Sequence, residues 1–362
     1  MNFNFPKLPK SKIYNAETEI TPEQFALMKL LNSESINELE TEDIEEAIKF
    51  YKECFPYLQS IPLSNLTELD TDELRKFLHE AINFHINIEN DITFSFLFRV
   101  TKVKEEFLEN AKLRNPEYII FPNLELVKAL GLYNRASSPN ATVFYASFFE
   151  NVALHETRPQ VGDRIIITTW KNVTQKKFTV FPIANNETVK NKMLEHSTAA
   201  VKMLGQRANP LLFGVLDLYL LFLSSEFVKS ENINSAKRYE YFFSAYFGDM
   251  ILNKNQVTSD KYKPKINKGK KMGDFDAILY PSVAFNHKEE NLAVSPDSML
   301  KNLHPIHVED CIVEETYYDK VMDKDVSPIK KRILRTVTNI TDNKFIWSDD
   351  FVVEKKLKTT VK

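Results

Sequence analysis

LYNRASSPNATVFYASFFENVALHE, residues 132–156, is the stretch on which the reading of this chain turns. Its opening crowds turn-forming side chains, Asn134, Ser137, Ser138, Pro139 and Asn140, around a single cation, Arg135. Thr142–Ala146 is β-branched and aromatic, the composition of a strand. The chain then takes helical spacing from Phe148 to Glu156. Turn, strand and helix in 25 residues predict a sheet with a helix laid on it.

The flanks extend that pattern. ITFSFLFRV (92–100) and DRIIITTW (163–170) read as strands. Three longer helices are expected next: one at 187–204 ending at Gly205, an apolar one after Pro210, and one over 235–252. DFDAILYPSVAF (274–285) predicts a strand ending in a turn, and Asn291–Ser295 another strand. From Ile312 the alternation weakens through RILRTVTNIT and KFIWSD to a basic tail. Upstream, residues 1–90 read as helical. Thr21-Pro22-Glu23-Gln24 is a helix start, Ile44, Ala47, Ile48 and Tyr51 form an apolar stripe, and Leu74, Phe77, Leu78 and Ile82 form another. The expectation is α+β: a mixed sheet with a helical layer, preceded by a small helical domain. Its parts are an acidic amino-terminal domain (1–90), a central domain (91–311), and a β-rich extension with a basic tail (312–362).

Composition narrows the function classes. Of 362 residues, 43% are hydrophobic and 27% charged, which supplies a core and excludes wholesale disorder. Seven glycines are too few for Gly-rich phosphate loops, and neither a dinucleotide fingerprint nor a P-loop motif occurs. Two cysteines, Cys54 and Cys311, cannot make a disulfide framework or a Cys-based zinc site. The longest apolar run, Leu211–Leu223, is too short to span a bilayer and carries Asp217. With no apolar leader at the start, a soluble cytoplasmic protein without membrane association is expected. Residues 1–90 hold 17 acids against 8 bases, and the rest 33 against 39. The mildly basic body suits an anionic ligand such as a nucleotide.

Two separated segments carry the sharper reading. The stretch 132–156 resembles the signature of the RES-domain family, in which an arginine turn leads to an aromatic strand and a helix ending Ala-Leu-x-Glu. Asp276–Val283, with Tyr280-Pro281-Ser282, followed by Asn291-Leu292-Ala293, resembles that family's second motif. Arg135, Glu156 and Ser282 stand in the order for which the family is named, and the resemblance spans roughly residues 92–300. Where the family has glycine beside the turn, this chain has Asn134 and Asn140, the residue type most tolerant of left-handed backbone.

The resemblance implies a fold related to ADP-ribosyltransferases and an enzyme that consumes NAD, as a toxin of a toxin–antitoxin pair or a defence effector. NAD is then the substrate, and no metal cofactor is expected. Glu156 would stabilise the oxocarbenium-like state formed as the nicotinamide–ribose bond breaks. Arg135, with Arg99 as a second candidate, would grip the pyrophosphate. Tyr145 would stack on nicotinamide and Ser282 would hydrogen-bond the substrate. The bond can be cleaved by hydrolysis or phosphorolysis; alternatives are transfer of ADP-ribose to a protein, or a module that binds nucleotide without turnover. An antitoxin or regulatory protein is a candidate partner, as is a second copy of the chain.

Weaker motifs point elsewhere. His304-Pro-Ile-His307-Val-Glu309 contains ligand types, but Pro305 and its β-branched neighbours suit a strand or loop better than a metal site. KYKPKINKGKK (261–271) is basic, yet no aromatic ladder accompanies it, so nucleic acid is not the expected partner.

Overall fold

A computed structural model describes residues 1, 3–7, 41–82, 90–103, 115–183, 210–229, 238–252, 275–285, 289–316, 329–341 and 344–348. The helix expected from Thr21, the one at 187–204, the lysine run at 261–271 and the basic tail lie outside the described residues. The elements are, in chain order, α1 (Thr41–Ser60), α2 (Glu68–Ala81), β1 (Asn90–Ile92), β2 (Phe96–Lys102), α3 (Glu117–Ile120), α4 (Leu124–Leu130), β3 (Phe144–Ser147), α5 (Glu150–Thr157), β4 (Arg164–Asn172) and β5 (Phe178–Pro182). They continue with α6 (Pro210–Phe227), α7 (Phe242–Leu252), β6 (Ala277–Pro281), β7 (Glu290–Val294), α8 (Pro296–Asn302), β8 (Leu303–Glu315), β9 (Lys330–Thr341) and β10 (Lys344–Trp347). The chain is α+β with a ten-stranded mixed sheet. No helix of the described residues is long and apolar enough to cross a membrane.

Contacts divide the chain into two units that interleave along the sequence. The first takes residues 1–90, 127–141 and 179–280. Its helices pack through aromatic faces. Phe55 of α1 stacks on Phe222 of α6 at 4.6 Å, and Phe222 meets Phe243 of α7 edge-on. α2 starts with a capping box, Thr67 and Asp70 satisfying each other's backbone amides. β5 and β6 pair in parallel, Val180 opposite Ala277. Residues 1–90 therefore do not cluster as a separate unit. The apolar stripe of α1 needs a partner, and α6 supplies it.

The second unit takes residues 91–126, 142–178 and 281–362. Its strands run β7-β3-β2-β4-β8-β9-β10, each antiparallel to its neighbours. β8 passes unbroken through position 311, where a domain edge was expected, because Cys311 and Ile312 both pair with β4. One face of β2, β4 and β8 is covered by α5. Ala153 and Leu154 pack on Val100, Ile165, Ile167, Cys311 and Val313, with Phe98 alongside. Burying a leucine of this kind contributes about 1.5–3 kcal/mol. The expected strand at 92–100 is two, β1 and β2, separated at 93–95. The segment containing His304 and His307 is strand β8.

Candidate active site

Glu156, Ser147, Ser282 and Asn291, the side chains that build the site, all lie in the second unit. α5 begins after extended Phe149 and ends at Arg158, whose φ of 45° is left-handed. Val152 to His155 are all buried, which pins the last turn of the helix and with it Glu156. β3 and β7 pair so that Ser147 stands opposite Asn291 and Tyr145 opposite Ala293. β6 delivers Ser282 to the start of a tight turn, where the Ser282 amide donates to Glu289 O at 2.7 Å.

These pieces meet at one oxygen atom. Ser282 Oγ donates to Glu156 Oε1 at 2.5 Å and Asn291 Nδ2 donates to it at 2.9 Å, with the Ala284 amide at 3.4 Å. Ser147 Oγ donates in turn to Asn291 Oδ1 at 2.5 Å, and the Phe285 amide donates to Ser282 Oγ at 3.3 Å. Ser282, Asn291 and Ser147 are buried, whereas Glu156 is only half-buried. Oε2 accepts no hydrogen bond from the described residues. The result is a carboxylate fixed through one oxygen and open at the other. Beside it, burial pushes the His155 imidazole below the usual histidine range, and Phe285 lies edge-on to that ring at 5.1 Å.

Strand alternation sorts the remaining candidates. Tyr145 shares its face with Ser147, the face of Glu156, and is half-buried. Phe144 takes the other face, fully buried and edge-on to Trp170 at 5.1 Å. Arg99 follows Phe144: its guanidinium lies 5.3 Å from that ring centroid, and Nη1 donates to Tyr145 O at 2.9 Å. Arg99 thus occupies the opposite face of β2 from Phe98 and Val100, which pack under α5.

Arg135 belongs to the first unit. Its turn is closed by a bridge between Asn134 and Ser137. Nη1 donates to the carbonyls of Phe227 and, at 3.0 Å, Lys229, while Nη2 donates to Tyr241 Oη at 3.1 Å. The guanidinium stacks over the Tyr241 ring at 4.8 Å. Arg135 therefore closes the carboxyl end of α6, whose last carbonyls have no partner within the helix.

Of the residues singled out in the sequence, Glu156 and Ser282 are brought into direct contact across 126 positions, and Tyr145 joins their face. Ser147 and Asn291 were not among the expected site residues. An asparagine inside the apolar strand ENLAV was the available signal, since a buried amide demands partners. Among the described residues, no group of three His, Cys, Asp or Glu side chains is arranged to hold a metal ion. Comparisons with protein-family models, curated proteins and solved structures return no match to this chain.

Proposed function

We propose that this protein cleaves the nicotinamide–ribose bond of NAD, with Glu156 as the working carboxylate, on a scaffold of the ADP-ribosyltransferase type. One observation carries the reading. Three donors converge on Glu156 Oε1 and leave Oε2 open on a half-buried side chain. Breaking an N-glycosidic bond builds positive charge on the ribose. A preorganised anion aimed at that charge stabilises the transition state without having to reorient when the charge appears. Oε2 holds a ribose hydroxyl and faces the developing cation, while Tyr145, on the same face, offers a ring to the departing nicotinamide. Nicotinamide leaves as a neutral amine, so no strong general acid is required.

Ser282 enters this scheme through Glu156. Its proton is donated to Oε1 and its oxygen accepts from the Phe285 amide, so the hydroxyl holds the carboxylate in place. The pyrophosphate grip expected of Arg135 and Arg99 is left out, because their guanidinium groups are engaged with protein carbonyls and rings. An uninhibited NAD-consumer would poison its host. A toxin or effector role with an inhibitory partner, in the cytoplasm, follows from the activity.

Incubation with NAD, with and without phosphate, should release nicotinamide measured by chromatography. Glu156→Gln keeps the shape and removes the charge, and should lower kcat by about 100-fold or more. Labelled NAD then identifies the acceptor as water, phosphate or a protein. Wild-type protein that releases no nicotinamide under these conditions, or a Glu156→Gln variant as active as wild type, overturns the reading.

A further inference from the structure

We infer that Asn291 is a positioning residue, and that Ser147 and Asn291 form a one-way hydrogen-bond relay that decides which oxygen of Glu156 does the work. The inference rests on Glu156 being the working carboxylate. An ionised carboxylate can only accept, so Asn291 must turn its Nδ2 toward Oε1. Its Oδ1 then faces Ser147, whose hydroxyl must donate. Only one arrangement of protons satisfies all three groups. A flipped amide sets Oδ1 against Oε1, two acceptors with no proton between them. Ser147 and Asn291 are each 2% exposed, so water does not compete for either group. Because they pair directly across β3 and β7, the sheet itself fixes their separation. Ser282 forms a second arm, its proton directed by the Phe285 amide at its back. Oε1 is saturated, and Oε2 is left as the reactive atom.

Substitutions at Ser147 reach Glu156 only through Asn291, which separates the relay from a direct effect. The test uses the full chain in Ser147→Ala, Ser147→Thr, Asn291→Asp and Glu156→Gln forms, with two measurements. The first is the side-chain 15N–1H2 signal of Asn291 in asparagine-labelled protein, assigned by its loss in Asn291→Asp. The second is kcat and KM for nicotinamide release. In wild type, the two Asn291 amide protons should be resolved and slow to exchange. Ser147→Ala and Glu156→Gln should each shift and loosen that pair. Ser147→Ala should lower kcat by about tenfold, the usual scale for an outer support of a working group, with KM within about twofold. Ser147→Thr retains the hydroxyl and should restore both signals. Asn291→Asp, equal in shape but without the donor, should lower kcat by about 100-fold.

An Asn291 pair unaltered by Ser147→Ala, or a threonine variant that restores nothing, overturns the relay while wild-type nicotinamide release stands. The amide behaviour described, in a protein that releases no nicotinamide, supports the relay and overturns the reading of NAD as substrate.

Discussion

Replacing Arg135 with alanine tests whether this side chain is a structural clamp or a grip for ligand. Three acceptors are lost at once: the carbonyls of Phe227 and Lys229 at the end of α6, and the Tyr241 hydroxyl. A hydrogen bond from a charged donor contributes about 1.5–3 kcal/mol. Arg135 is half-exposed, so the lower end of that range applies to each bond. Stacking over Tyr241 at 4.8 Å adds about 1 kcal/mol. Because the contributions overlap, the loss should be about 4 kcal/mol rather than their full sum. At about 2–4 °C per kcal/mol for a unit of this size, melting should fall by roughly 8–16 °C. Both tryptophans, Trp170 and Trp347, lie in the second unit, so the assay is far-ultraviolet circular dichroism, which follows the helices of the first. Arg135→Lys keeps the charge without the planar fork and should fall between the two. If Arg135→Ala melts within about 2 °C of wild type while KM for NAD rises by about tenfold or more, the clamp is refuted and the guanidinium belongs to the ligand.

Three other outcomes are expected. Gly248→Ala should destabilise by about 1–3 kcal/mol in urea titration, although alanine is the better helix former. An added Cβ would stand 2.4 Å from Ala136 O, a backbone atom that cannot step aside. Cys54 and Cys311 are fully buried, and burial pushes both thiols up to about 12 from the ordinary 9.0. Their thiolate fraction is then about a thousandfold below that of a free cysteine, so an aromatic disulfide reagent at pH 8 should react only once urea unfolds the chain. For His155, burial disfavours the imidazolium in the folded state, so the unfolded chain binds more protons. Its stabilising contribution is full above the ordinary value of 6.5 and is lost as pH falls below it. Urea midpoints measured from pH 7.5 down to 5.5 should therefore drop more in wild type than in His155→Gln. An equal drop in both would assign the acid sensitivity to other groups.

Local chemistry marks the elements well. Thr142–Ala146 and Asp163–Trp170 carry β-branched and aromatic runs, and β3 and β4 lie on them. The apolar run after Pro210 is α6. What the pattern could not reveal is the partner of each apolar stripe. α1 looks like part of a separate amino-terminal layer, but its Phe55 stacks on Phe222, 167 positions away. The same gap separates Arg135 from its role. An arginine in a turn carries the same charge whether it meets a phosphate or the carbonyls of Phe227 and Lys229.

What the amino-acid order determined here is whatever depends on neighbours within a turn or two: strand composition, helix spacing, caps, and the chemical types available for a site. It also offered Glu156 and Ser282 as candidates, which the structure sets in hydrogen-bond contact. Only the tertiary structure decided that Asn291, held by Ser147, and Ser282 meet on a single carboxylate oxygen, that Tyr145 rather than Phe144 shares their face, and that Arg99 and Arg135 are engaged with protein. A hydrogen bond acts over about 3 Å of space, and the register of β3 on β7, not any spacing along the chain, sets Ser147 against Asn291 within that reach.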